Sequence, residues 1–415
     1  MMKTSNARQN FLWNLLGSLS TAAVSVLLLM VVSRLLSRNE ADVFAFSYSL
    51  GHLLLVIGWF QMRNYQATDI KEKYSFPDYF QSRLLTCGLM IVAAVIYLVW
   101  QQFDAYKATI ILLVALYRMT DAFSDVFQGF FQQKERLDLA GKSLFFRNIL
   151  VFLVFTGTLI LTNNLTVALV LVCLVSSIFI VFYDIRYSFQ MERWMHPSDK
   201  KGSPFSSALV LLKEVFPFFI NGFLLNYIYN SPKYALDSQL ELGKVAEGVQ
   251  TDFNILFMPA FVMNLLMLFF RPMITQMAIY YFNDEQEKFK RLQYKILLFL
   301  AGASLVVLVG AWLLGIPVLN LLYGVKLDHY QSVLMLLMLG GVLSSFATAF
   351  DNILTVLRKQ NLLLVSYILA FTCSLLVTSP LVSHYAIFGA GLAYVVTMAI
   401  WLISSLALYL YTKRK

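Results

Sequence analysis

Arg118, Asp121 and Asp125 follow one another at spacings of three and four inside the stretch ALYRMTDAFSDVFQGFFQ (residues 115–132), whose other residues are mostly apolar. An ionised side chain in hydrocarbon costs at least a few kcal/mol, so charges retained in such a segment need a function or a partner. At about 100° of rotation per helical residue, Arg118, Asp121, Asp125, Gln128 and Gln132 share one arc of about 80°. The stripe rises about 21 Å, from mid-bilayer to one surface. Two chemistries fit it. Lining a water-filled cavity, it would offer Arg118 to an anion and the two aspartates to H+ or Na+; alternatively, an internal Arg–Asp pair would staple this segment to a neighbour.

Two further helical faces are polar. Asn10, Asn14, Ser18, Thr21 and Ser25 follow at spacings of three and four, as cavity lining or as small residues that let helices pack closely. Gly341, Ser344, Thr348, Asp351 and Thr355 repeat the pattern, and Asp351 is a third candidate ion site. Pro217 interrupts another apolar segment, and NSPKYALD (residues 230–237) sets Pro232 and Lys233 near its far end; discontinuous helices mark substrate paths in transporters. Lys213 and Glu214 are expected to snorkel or pair at the cytoplasmic edge. Arg271 in FFRPM reads as a membrane anchor or as the guard of an anionic headgroup.

The elements that position these residues are membrane spans. Of 415 residues, 59% are hydrophobic and 13% charged, with a mean hydropathy of +0.69, against about 25% charged in a soluble domain. A bilayer core of about 30 Å takes about 20 apolar residues per helix. About twelve such blocks recur, near Phe11–Leu36, Asp42–Gln61, Ser82–Trp100, Ala108–Gln132, Leu144–Thr162, Leu165–Tyr183, Ala208–Asn230, Phe253–Pro272, Leu292–Leu314, Tyr330–Leu357, Leu362–Pro380 and Ile387–Tyr411. The predicted fold is all-α and polytopic, with both termini on one side.

Most of the 32 lysines and arginines fall on the side of the termini, including Arg63, Arg83, Arg147, Arg271 and the Lys413–Lys415 tail. By the positive-inside rule that side is cytoplasmic. Arg34, Arg38, Lys107, Lys233, Lys244 and Lys326 lie opposite, and Arg118 and Lys213 fall within spans. The net charge of +9 is thus a matter of topology, not of nucleic-acid binding. Cys87, Cys173 and Cys373 lie singly in separate spans, which supports neither a disulfide framework nor a metal site. The first span is too long for a signal peptide and reads as retained.

The longest polar interval, Asp184–Ser207, falls between the sixth and seventh spans. It divides the chain into a six-helix lobe at 1–190, a linker at 191–207 and a second six-helix lobe at 208–415, as in transporters built from two repeats. No extramembrane segment could hold a nucleotide-binding domain, and no GxxxxGK[ST] loop occurs. The short outward loops and the scattered His52, His196, His329 and His384 argue against an enzyme.

Several stretches together resemble the Wzx-type polysaccharide flippases of the superfamily that includes multidrug exporters and lipid II flippases. They are FLWNLLGSLSTAAVSVLLLMVVSRLLSRNEADVFAFSYSL, MRNYQATDIKEKYSFPDYFQSR, DVFQGFFQQKERLDLAGKS, NSPKYALD, ILFMPAFVMNLLMLFFRPMIT and VLNLLYGVKLDHYQ, in that order and nearly end to end. The resemblance implies a V-shaped twelve-helix bundle in the bacterial cell membrane that alternately opens a central cavity. It implies a polyprenyl-pyrophosphate-linked oligosaccharide as substrate, membrane lipids around it, the polymerase and glycosyltransferases of one pathway as partners, and no cofactor beyond a coupling H+ or Na+. A pyrophosphate calls for cations in a low-dielectric cavity. Arg118 is the first candidate, followed by Lys233, Arg34, Arg63 and Arg271, with Asn14 on the first polar face; Asp121 and Asp125 bind the coupling cation or tune Arg118. The alternatives are a cation-coupled multidrug exporter and a lipid II-type flippase.

Overall fold

The computed structural model describes residues 7–69, 72–191, 204–260, 263, 267 and 270–414, and the side chains of 7, 204–205, 271–272, 360 and 413–414 lie outside that description. Among the described residues the regular structure is all helical. The elements are α1 (Ala7–Leu35), α2 (Arg38–Trp59), α3 (Met62–Thr68), α4 (Phe76–Gln101), α5 (Ala105–Gln133), α6 (Leu137–Thr162), α7 (Leu165–Phe179) and α8 (Arg186–Met191). They continue with α9 (Pro204–Glu241), α10 (Val249–Phe257), α11 (Arg271–Phe282), α12 (Gln286–Gly310), α13 (Ile316–Tyr323), α14 (Gln331–Val356) and α15 (Leu363–Arg414). Nine helical stretches among the described residues are long and apolar enough to cross a membrane, and the chain is a multi-pass membrane protein. Helix α5 is long enough at 29 residues, but Lys107, Arg118, Asp121 and Asp125 interrupt its apolar run.

Local chemistry sets the ends. Ser37 and Glu40 close a capping box on α2, and Ser75 and Asp78 close one on α4, where Pro77 occupies the first turn. The Asp104 carboxylate accepts the backbone N–H groups of Tyr106 and Lys107 at the start of α5. Helix α15 runs 52 residues and breaks at Ala386 (φ 48°, ψ −128°) after Pro380, so the spans predicted at Leu362–Pro380 and Ile387–Tyr411 meet without an intervening loop. A Cβ on Gly389 would lie 2.0 Å from the Leu381 carbonyl oxygen, and only glycine fits that bend. By contrast α9 continues through Pro217 and Pro232 for 38 residues. The break expected in the seventh span is absent.

Contacts divide the chain into two compact units, Met1–Asn226 and Tyr227–Lys415. In the first, α5 is central and packs against α2, α3, α4, α6 and α7. Helix α1 lies close against α6 because Gly17 and Gly141 meet: a Cβ on Gly141 would stand 2.2 Å from the Trp13 backbone. An aromatic cluster of Phe60, Phe76, Tyr79, Phe127, Phe130 and Phe131 fills the end of this unit where α1 begins, each ring contributing about 1.5–3 kcal/mol by burial. In the second unit α14 packs on α10, α11, α12 and α15, over a core that includes Phe270, Met277, Phe289, Ile296 and Phe350.

Candidate functional site

The polar stripe of α5 is shared among four neighbouring helices. Arg118 is 3% exposed; its Nη1 donates to Asp121 Oδ2 at 2.8 Å, and its guanidinium lies 4.2 Å from the centre of the Tyr48 ring on α2. Its Nη2 is 3.0 Å from His52 Nε2. A guanidinium only donates, so that imidazole nitrogen accepts and the ring proton sits on Nδ1. Arg147 of α6 donates through Nη2 to the other Asp121 oxygen at 2.7 Å. The internal Arg118–Asp121 pair is therefore present, and it serves two neighbours rather than one.

One turn along, Asp125 accepts from Arg83 Nη2 of α4 at 2.8 Å and from Arg63 Nη1 of α3 at 3.4 Å. Arg83 is wholly buried and also donates to the carbonyl of Gly58. Arg63 reaches Gln128 Oε1 at 2.9 Å and Gln132 Oε1 at 3.3 Å, so the outer rungs of the stripe converge on one side chain that is 25% exposed. The elbow between α2 and α3 aims Arg63 there: Phe60 (φ 47°) and Gln61 (φ 54°) are both left-handed, a conformation that costs of order 1–3 kcal/mol per non-glycine residue. Phe60 stacking on Phe219 at 4.3 Å and the close seat of Gln61 against Gly222 hold it.

A third buried carboxylate completes the network. Asp184 accepts from Ser124 at Oδ2 and from Ser143 at Oδ1, both at 2.6 Å, and Arg147 lies within its electrostatic reach. Asp184 was expected to open the polar interval after the sixth span. It is instead fully buried, because a π-helical segment (Ile180–Ile185) carries α7 on into α8; such bulges are frequent at functional positions. Arg83 and Arg147, expected as topology markers at the membrane edge, are likewise interior. Helices α4 and α6 begin at Phe76 and Leu137, about two turns earlier than the apolar runs at Ser82 and Leu144, and that extension draws both arginines inside.

The remaining candidates are spread out. Arg34 is exposed in the last turn of α1, at the opposite end of the first unit from Arg63. Asn14 is half-buried on α1 beside Gly141. Lys233 is buried on α9, its ammonium 4.5 Å from the centre of the Phe257 ring. The Arg271 side chain lies outside the described residues. Glu214 pairs with Lys73 at 2.6 Å and accepts from Tyr65 at 2.5 Å, not with Lys213 as expected; the Glu214 hydrogen bond raises Lys73 above the ordinary lysine range.

Asp351, in the second unit, has a different environment. Its Oδ2 accepts from the Tyr367 hydroxyl at 2.9 Å and from Trp401 Nε1 at 3.1 Å, and its Oδ1 accepts from Ser405 at 2.7 Å. All three donors are neutral and lie on α15. No lysine or arginine among the described residues stands within ion-pair distance of it. The sequence pointed to Asp351 but could not show its donors, which follow at 16, 50 and 54 residues.

No family model matches the sequence. Over 404 residues the chain is 23% identical to the capsular polysaccharide biosynthesis protein CapF of Staphylococcus aureus, covering 95% of this chain and 97% of that one. Its fold matches that of a multidrug resistance MATE family transporter of the MOP superfamily in an inward-facing conformation, with a TM-score of 0.67, 13% identity and coverage of 95% and 94%. It also matches the MATE transporter VcmN of Vibrio cholerae, with a TM-score of 0.62, 14% identity and coverage of 98% and 97%. The chain has the MATE transporter fold, and over nearly its whole length its sequence resembles that of a capsular polysaccharide biosynthesis protein.

Proposed function

We propose that this protein is a flippase for a polyprenyl-pyrophosphate-linked oligosaccharide, moving it by alternating access to the outer leaflet of a bacterial cell membrane for assembly into capsule, O-antigen or another surface polymer. The reading places both termini in the cytoplasm. The observation that carries it is the near full-length likeness to a capsular polysaccharide biosynthesis protein, joined to a buried arginine network suited to an anionic headgroup. Arg63, Arg83, Arg118 and Arg147 face Asp121, Asp125 and Asp184. Arg147 Nε and Nη1, with Arg118 Nε and Arg83 Nε, are buried without a hydrogen-bond partner among the described residues. Such donor capacity inside hydrocarbon suits a diphosphate, which guanidinium groups engage bidentately.

In this mechanism Arg63, the partly exposed member, meets the pyrophosphate first. Arg118 follows by exchanging Asp121 for a phosphate oxygen, while Arg147 keeps Asp121 compensated. Asp121 and Asp125 tune the arginines. Lys233, Arg34, Arg271 and Asn14 are further contacts for headgroup and sugars along the path, and Asp351 is the coupling-ion site. The pathway's polymerase and glycosyltransferases are the partners this role requires. A multidrug exporter shares the fold, but a cationic drug would meet arginines in this network. Deletion of the gene distinguishes the two: accumulation of lipid-linked oligosaccharide with loss of surface polymer supports the flippase, whereas unchanged polymer with increased sensitivity to cationic dyes contradicts it.

A further inference from the structure

We infer that Asp351 binds a proton and excludes Na+, a conclusion about the coupling ion that rests on the transporter reading above. The geometry sets the selectivity. A metal cation needs a shell of several oxygen ligands, whereas a proton needs one carboxylate lone pair and one acceptor. Among the described residues the side-chain oxygens bonded to Asp351 are those of Tyr367 and Ser405, and its third partner is Trp401 Nε1, 3.1 Å from Oδ2. Indole nitrogen is a donor with no acceptor capacity. Its N–H points its positive end at the oxygen a metal ion would have to share, and it cannot turn into a ligand as a hydroxyl can.

A proton fits without moving a heavy atom. Placed on Oδ1, it is donated to the Ser405 hydroxyl 2.7 Å away, whose own proton turns to a backbone carbonyl one helical turn earlier, as serine commonly does in helices. Oδ2 keeps its bonds to Tyr367 and Trp401. Among the described residues the side chains that bond the carboxylate are all uncharged. They are Tyr367, Trp401 and Ser405 of α15; Thr355 bonds the main-chain carbonyl of Asp351, Tyr229 of α9 lies edge-on to Trp401, and on α12 Lys288 and Lys290 pair instead with Glu285 and Glu287. Among the described residues no ion pair compensates a charge lost or gained at Asp351, and the site reports proton occupancy through the α14–α15 contact.

The test uses the full chain in lipid nanodiscs and needs no transport assay. Infrared difference spectra between acidic and alkaline buffer should contain a protonated-carboxyl C=O band that is missing from Asp351→Asn, a variant isosteric with the protonated acid. The melting temperature of the wild type should be the same in NaCl and in choline chloride. A Na+-dependent rise in melting temperature that Asp351→Asn abolishes overturns the inference, as do identical carboxyl bands in the wild type and that variant. The Na+ against choline comparison in the wild type stands even if the variant fails to fold. Failure of lipid-linked oligosaccharide transport with these spectra intact would count against the flippase reading and leave the proton site standing.

Discussion

Both units of this protein bury aspartates among apolar helices, yet the surroundings differ in kind. In the first unit Asp121 accepts from Arg118 on its own helix and from Arg147 on α6, and Asp125 accepts from Arg83 on α4 and Arg63 on α3. In the second, Asp351 has three neutral donors on a single helix. Removing one member of a buried ion pair strands the other charge and costs about 3–5 kcal/mol, so the arginine network is locked by its own electrostatics. It opens to something that replaces an anion. Asp351 carries no such debt to a cation, and a single proton changes its state. One residue type thus pairs with guanidinium groups in one unit and with neutral donors in the other, which is the difference on which the proposed switching role of Asp351 rests.

Substitutions sharpen that contrast, beginning with the most damaging. Arg83→Ala leaves Asp125 with only the 3.4 Å contact to Arg63 and should cost about 3–5 kcal/mol, read as a lower denaturation midpoint and poor recovery from membranes. Arg118→Ala should lose about 1.5–3 kcal/mol, the worth of a charged hydrogen bond, and remain folded because Arg147 still holds Asp121, while surface polymer export is abolished; Arg118→Lys restores export only in part. Full export by the alanine variant removes Arg118 from the substrate path. Asp121→Asn should slow export but leave its dependence on the proton gradient intact, and gradient-insensitive export in that variant would move the coupling ion into the first unit.

Asp351→Asn should change stability by less than about 1 kcal/mol, because the amide oxygen can accept from Tyr367 and Trp401 while the amide NH2 donates to the Ser405 hydroxyl, yet abolish gradient-driven export. Lys73→Ala should have the smallest effect. Lys73 is raised by its Glu214 hydrogen bond, so its contribution is complete below the ordinary lysine range and is lost as pH climbs through the raised value. The wild type should therefore lose a small increment of melting temperature at alkaline pH that the alanine variant never had, a difference further diminished by salt at this exposed pair.

How much of this was legible in the sequence depends on the distance over which each signal acts. The helical stripe from Arg118 to Gln132 was readable because its period is local, and Asp351 because it is the one charge on a face of otherwise small, neutral residues. Arg83 and Arg147 were not, since hydropathy placed their spans about two turns too late and the positive-inside rule then absorbed both as anchors. Asp184 was hidden by the same bias, because a polar residue at the end of an apolar run looks like a loop until a π-helical segment carries the helix past it. His52 showed no partner in sequence; the imidazole meets Arg118 across 66 residues. Pro217 was over-read, as α9 accommodates it without a break.

The central claim, that the network of buried arginines carries a lipid-linked sugar pyrophosphate, is tested most directly by reconstitution. Purified protein in proteoliposomes loaded with a fluorescent polyprenyl-pyrophosphate oligosaccharide should move it between leaflets, at a rate that collapses in Arg118→Ala and is partly retained in Arg118→Lys. Translocation unchanged by Arg118→Ala, or no translocation alongside gradient-driven movement of a cationic dye, would contradict the account.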